Sequence, residues 1–244
     1  MLSRWYYSDT IEAFRVASLE SVLGHLSRSS EFDITQAQSL AWQEQIVLLR
    51  QSLASFSGEL LLEYSIPRLG ERVDAVVFIG HVVFVIEFKV FDERYQRFAF
   101  DQVYDYALDL KHFHGPSHNA WIAPILVPTN APPSDYRVQA SGHNDRLLIP
   151  IACNGGQLKA AIQAVLDETH GENVEVSEWR AGRYSPTPTI VEAAKALYRG
   201  HSVDEISRSD AEATNLRITA GCLSRLISQA KVRGEKAICF VTGV

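Results

Sequence analysis

Asp74, Glu87 and Lys89 are the residues of this chain whose types and spacing could do chemistry together. They flank Gly80-His81, a Gly-X pair suited to a two-residue type II′ hairpin loop. Around such a loop, residues equally far from it face each other, and Asp74 lies as far before Gly80 as Glu87 lies after His81. Their β-carbons are then expected ~5 Å apart on one face of the hairpin. Lys89, two residues beyond Glu87, points to the same face. Val76, Phe78, Val83 and Val85 beside them imply partial burial. Two opposed carboxylates in such a place repel unless something cationic lies between them. A Mg²⁺ ion meets that need, because it prefers oxygen ligands, keeps waters and commonly combines one or two carboxylates with a substrate phosphate. Lys89 would orient or deprotonate an attacking water and offset charge developing on phosphorus. The plainer alternative is two ordinary salt bridges facing solvent, and a register slip of one residue would separate the pair.

The hydrophobic period predicts the elements that must hold these residues. Helical spacing covers residues 9–28 and 35–56. From residue 59 the pattern turns to strand, with Leu60 to Ile66 closed by the turn-like Pro67-Arg68-Leu69-Gly70. Arg72 to Ile79 and Val82 to Val90 form the hairpin. Residues 95–113 return to helical spacing, with Phe98, Val103, Tyr106 and Leu110 on related faces. Trp121 to Val127 and Leu147 to Ile151 read as short buried strands, and Gln157 to Thr169 as a helix. The order helix, three strands, helix, strand, strand, helix is that of a mixed α/β core. On the helix after the hairpin, Gln102 and Tyr106 are four apart and share a face. A Gln amide can hold a metal-bound water or a carboxylate, and a Tyr can stack on a base or meet a phosphate. Alone, the two read equally as a surface residue and a core residue.

Asp74, Glu87-x-Lys89 and Gln102-x-x-x-Tyr106, in that order and on those elements, resemble the PD-(D/E)xK nuclease superfamily, in its RecB-like branch. The likeness covers about residues 36–130 and implies a restriction-endonuclease-like αβββαβ core. It further implies a Mg²⁺- or Mn²⁺-dependent phosphodiesterase with Asp74, Glu87 and the Phe88 carbonyl as metal ligands and Lys89 in catalysis. Many members add an acid from the first helix, for which Glu44 is the matching candidate and Glu63 its rival. Leu69-Gly70-Glu71-Arg72-Val73-Asp74 lacks the Pro that often precedes the Asp. Arg72, Arg94, Arg97 and Lys111 are the candidate nucleic-acid contacts, although basic residues scattered on a helix are usually a solvated face. The phrases Glu63-Tyr64-x-Ile66-Pro67-Arg68 and Ile86-Glu87-Phe88-Lys89 narrow the likeness, as does the run from Gln102 to His114. They are similar to the N-terminal nuclease region of large bacterial proteins that carry a Schlafen-related, superfamily-1-type helicase.

The C-terminal part agrees with that likeness. Ser185-Pro186-Thr187-Pro188-Thr189 reads as a linker, followed by a helix to Arg199. Ser209-Asp210-Ala211-Glu212 matches a capping box opening a helix that should reach about Arg233, before Gly234. Lys236 to Val244 looks like the first strand of a P-loop NTPase, with Gly243 beginning the phosphate loop. Two domains are therefore expected: a nuclease domain over residues 1–180, and over 184–244 a helical region ending in one strand, the start of a helicase truncated before its P-loop. The 23 basic and 29 acidic residues leave a net charge of −6, which argues against a protein that coats nucleic acid by bulk charge but not against an acidic metal site. No stretch approaches the ~20 apolar residues of a spanning helix. The N-terminus lacks a signal-peptide core, and the three cysteines have no paired spacing, so a cytoplasmic protein off the membrane is expected. The expected partners are nucleic acid, with DNA favoured, and the missing helicase domain. A homo-oligomer stays open. The rival function is a catalytically silent domain that binds nucleic acid or regulates the helicase. A carboxylate-pair glycosidase fits poorly, because it leaves Lys89 unexplained.

Overall fold

Three hydroxyl side chains decide how the chain begins. Thr10, Ser18 and Thr35 each accept a hydrogen bond from the backbone N–H three residues on, and each starts a helix. In the computed structural model, which describes residues 4–30, 33–66, 70–184, 222 and 225–234, the helix expected over 9–28 is consequently three elements. These are a strand, β1 (Tyr7–Thr10), then α1 (Ile11–Val16) and α2 (Leu19–Ser29). Helical spacing was present throughout, but the two caps restart the helix and Ala17 between them is extended. The helix α3 (Gln36–Ser52) occupies most of the second helical stretch.

β2 (Glu59–Ile66), β3 (Glu71–Ile79) and β4 (Val82–Lys89) follow, then α4 (Arg97–Phe113) and β5 (Trp121–Pro128). β6 is only Ile151–Ala152, shorter than the strand expected over 147–151, where Leu147 and Leu148 make single bridges. α5 (Leu158–Glu168) and α6 (Val176–Ala181) complete the series. The six strands form one mixed sheet in sequence order, antiparallel from β1 to β4 and parallel from β4 to β6. One face buries Ile11, Phe14, Trp42, Ile46 and Leu49 from the N-terminal helices, together with α5. The other buries the Val103, Tyr106, Ala107 and Leu110 side of α4. Trp179 of α6, an element with no clear signal in the sequence, plugs that second face. Its indole donates to Ser117 Oγ (2.9 Å) and its ring lies 4.8 Å from Phe78.

The β3–β4 hairpin turns on Gly80 at φ +58, and His81 is not left-handed, as a type II′ turn requires. Its register, from Ile79↔Val82 to Ala75↔Ile86, is the one expected from the loop.

The chain divides into two units, Met1–Lys111 with Pro116–Ala181, and His112–Gly115 with Gly182–Val244. In the second, residues 225–233 are helical and Gly234 ends them at φ +64, which matches the stop read from the sequence. The linker at 185–189, the helix to Arg199, the capping box at 209–212 and the terminal strand at 236–244 lie outside the described residues. Among the described residues no helix is long and apolar enough to cross a membrane.

Candidate active site

Two neighbouring strands lose their alternation at facing positions. On β2, Leu60 and Leu62 pack on one face and Leu61 on the other, yet Tyr64 joins Leu61 rather than Leu62. On β3, Ala75 and Val77 pack on the first face, yet Val73 packs on the second with Val76. The residues at the two slips are Glu63 and Asp74, which lie between the paired positions Leu62↔Ala75 and Tyr64↔Val73. Glu63 carries a left-handed φ of +54, rare for a side chain of its size and costly unless its surroundings impose it. Such a kink re-aims side chains where pleat alternation would have fixed them.

The re-aimed acids meet the hairpin pair. Glu63 accepts the Trp42 indole N–H at 2.6 Å, and the Phe88 backbone N–H donates to Asp74 at 2.7 Å across the end of the β3–β4 ladder. Glu87 is 5% exposed; its Oε1 accepts from Lys89 Nζ at 2.8 Å, while its Oε2 is buried with no hydrogen-bond donor. Burial, then the charges of Glu87 and Glu63, push the Asp74 carboxyl well above the ordinary carboxylate range. Burial also raises Glu87 against the pull of Lys89, and raises Glu63 against Trp42 and Arg72. Asp74 thus feels the charges of Glu87 and Glu63, Glu87 feels that of Glu63, and the Lys89 ammonium opposes both. Such a corner can hold a proton or a hard cation.

Lys89 is tied on its other side to α4. Its Nζ donates to Gln102 Oε1 (2.8 Å), Gln102 Nε2 donates to the Tyr106 hydroxyl (2.7 Å), and that hydroxyl donates to Glu71 Oε2 (2.6 Å). Burial, then the bond to Glu71, raise the Tyr106 pKa and keep the phenol protonated. Gln102 and Tyr106 are therefore joined to Lys89 rather than lying apart as surface and core.

The other candidates fare differently. Glu44, two residues on from Trp42, lies across α3 from the buried Trp42, Ile46 and Leu49 row, whereas Glu63 is the acid whose charge acts on Asp74 and Glu87. The left-handed backbone of Glu63 is a signal the sequence does not carry. Arg72 donates to the Glu63 carbonyl (2.9 Å) and stacks 4.0 Å from the Tyr6 ring centre, so it braces the kink. Lys111 is corrected outright as a nucleic-acid contact. It is 5% exposed and donates to the carbonyls of Ser117, His118 and Ala120, because its turn of α4 faces the chain that wraps the helix end. Arg94 and Arg97 are exposed, with Asp101 3.8 Å from Arg97. Glu71, which the sequence reading passed over, ends the chain from Lys89. Among the described residues no three His, Cys, Asp or Glu side chains converge as a ready metal-ligand group.

Comparison of the chain with family models, with curated proteins and with solved structures finds no match.

Proposed function

We propose that the Asp74–Glu87–Lys89 corner is the active site of a metal-dependent nuclease that hydrolyses phosphodiester bonds, with DNA as the favoured substrate. The observation that carries this reading is Glu87 Oε2, an acid oxygen buried without a donor beside two further acids whose proton affinities are raised. Buried charge is rarely left so unless a partner arrives. The element order α3-β2-β3-β4-α4-β5 supports a restriction-endonuclease-like αβββαβ core.

Hard oxygen donors of this kind fit Mg²⁺ or Mn²⁺. Asp74 and Glu87, with the Phe88 carbonyl, would hold the ion, and Glu63 rather than Glu44 is the acid near enough to add its charge. Such an ion, when bound, supplies positive charge where phosphate charge develops. The chain's own groups do the rest. The ammonium of Lys89 has three donors, two of them spent on Glu87 and Gln102, and the third can hold a water or a phosphate oxygen. By the family resemblance, the same module belongs to a cytoplasmic helicase-nuclease of anti-phage defence.

The test is cleavage of plasmid, single-stranded DNA and RNA by the purified chain with Mg²⁺ or Mn²⁺. Asp74→Ala, Glu87→Ala and Lys89→Ala should each lower the rate on the order of a thousandfold with the fold retained. Undiminished cleavage by the Glu87 variant would place any activity elsewhere. Tight nucleic-acid binding without cleavage of any substrate would favour the silent, regulatory alternative.

A further inference from the structure

The three hydrogen bonds from Lys89 to Glu71 can run in only one direction. Lys89 is an ammonium and only donates, and the Glu71 carboxylate at the far end only accepts. Between these fixed ends lie two groups that can turn round, the Gln102 amide and the Tyr106 hydroxyl. Because Glu71 takes the single proton of Tyr106, the phenol oxygen is left to accept, so Gln102 must present Nε2 to it. Its Oε1 is then forced toward Lys89. Every link is 2.6–2.8 Å long, and Tyr106 is 1% exposed, so water has no room to substitute in the middle. Glu71 itself is the exposed first residue of β3.

We propose that Glu71 is a positioning residue for the nuclease site, acting through Tyr106 and Gln102 to hold Lys89 between two acceptors with one N–H free for substrate. An amide in place of Glu71 offers a donor as well as an acceptor, so nothing compels the Tyr106 hydroxyl to donate there and the amide can donate to the phenol oxygen. The Tyr106 proton then turns to Gln102, and Gln102 can flip to face Lys89 with its NH₂, donor against donor. The kinetic part of this proposal rests on the nuclease reading; the polarity of the chain does not.

The experiment compares wild type, Glu71→Gln, Tyr106→Phe and the double variant of the full chain by cleavage kinetics and by ¹⁵N NMR of the Gln102 side-chain amide. Glu71→Gln should lower kcat roughly 10- to 100-fold, as expected when an outer partner of a site is lost. KM and the unfolding midpoint should stay at wild-type values, because Glu71 lies at the surface. The double variant should be no slower than the slower single variant, since both substitutions act on one chain. Both single substitutions should also shift the Gln102 amide signals and speed their hydrogen exchange. Multiplied losses in the double variant overturn the proposal. Gln102 signals unmoved by Glu71→Gln overturn it as well, whether or not the wild type cleaves. Moved signals in a wild type that cleaves nothing uphold the polarised chain and overturn the nuclease reading alone.

Discussion

Two lysines meet α4, Lys89 from the end of β4 and Lys111 from within the helix, and they are treated in opposite ways. Lys111, near its end, spends all three N–H donors on the Ser117, His118 and Ala120 carbonyls at 2.8–3.1 Å, and the account closes with no group left over. Lys89 is 21% exposed, meets two acceptors, and sits beside a buried Glu87 oxygen that has no donor. A buried polar network that is fully satisfied fixes a shape; one left short at a partly open corner has an acceptor still to be met by a proton, a water or an ion. The contrast lies in stoichiometry and not in burial alone.

The largest effect that should separate the two is on stability. Lys111→Met removes the ammonium shared by three carbonyls, those of Ser117 and Ala120 buried and that of His118 part-buried, and should cost about 3–5 kcal/mol of unfolding free energy. Lys89→Met should cost clearly less, because Glu87, its proton affinity already raised by burial, can take up a proton once the ammonium is gone. Urea unfolding of the two variants at neutral pH checks this. Equal losses would dissolve the distinction between a closed network and an open one.

The two regions should also respond to pH with opposite signs. Asp74 and Glu87 hold protons more tightly folded than unfolded. Their contribution is therefore complete below the ordinary carboxylate value of about 4 and is lost as pH rises through the raised values. Lys111 is pushed by burial down to about 8 from 10.5, so its contribution is present above 10.5 and is lost as pH falls through about 8. In metal-free protein, wild type minus Glu87→Gln should thus lose stability from about pH 4 toward neutrality. Wild type minus Lys111→Met should gain it between about 8 and 10.5. Neither slope should exceed about 1.4 kcal/mol per pH unit for each group. Chemical denaturation across the two windows reads both, and a common sign would show that the acids are not held as described.

What the sequence disclosed follows the same division between local and long-range causes. The hairpin register was legible because one Gly-X loop sets the pairings from Ile79↔Val82 to Ala75↔Ile86, but the ladder ends there, and Asp74 meets the Phe88 N–H instead of standing in the expected pair with Glu87. Gln102 and Tyr106 were legible as a helical pair, but their tie to Lys89 depends on how α4 lies on the sheet. Glu63 was legible only as a rival to Glu44, because pleat alternation is assumed regular, and a left-handed Glu inside β2 leaves no mark on hydrophobic period. Lys111 looked like a surface cation because its partners are backbone carbonyls, which every residue has and no pattern reveals. The break between α1 and α2 hid behind helical spacing that continues across it, although Ser18 was a visible cap.

The smallest effect concerns a third cation, Arg97, which belongs to neither network. Its side chain is 93% exposed and its nearest acid, Asp101, is 3.8 Å away, a distance and setting at which ion pairs add little. Arg97→Ala should therefore leave the unfolding midpoint where it was. Arg97 opens α4, the helix that carries Gln102 to Lys89, so a phosphate backbone reaching the acidic corner along that helix would pass it. On that path Arg97→Ala should weaken binding alike for all nucleic-acid sequences and lower the slope of log affinity against log salt by about 1. The measurement is a salt titration of binding with a catalytically dead Lys89→Ala chain, with and without the arginine. An unchanged slope would take the start of α4 off the nucleic-acid path and leave Lys89 as the cation the substrate meets. Lys111, closed on its three carbonyls, would leave that slope unchanged in either case.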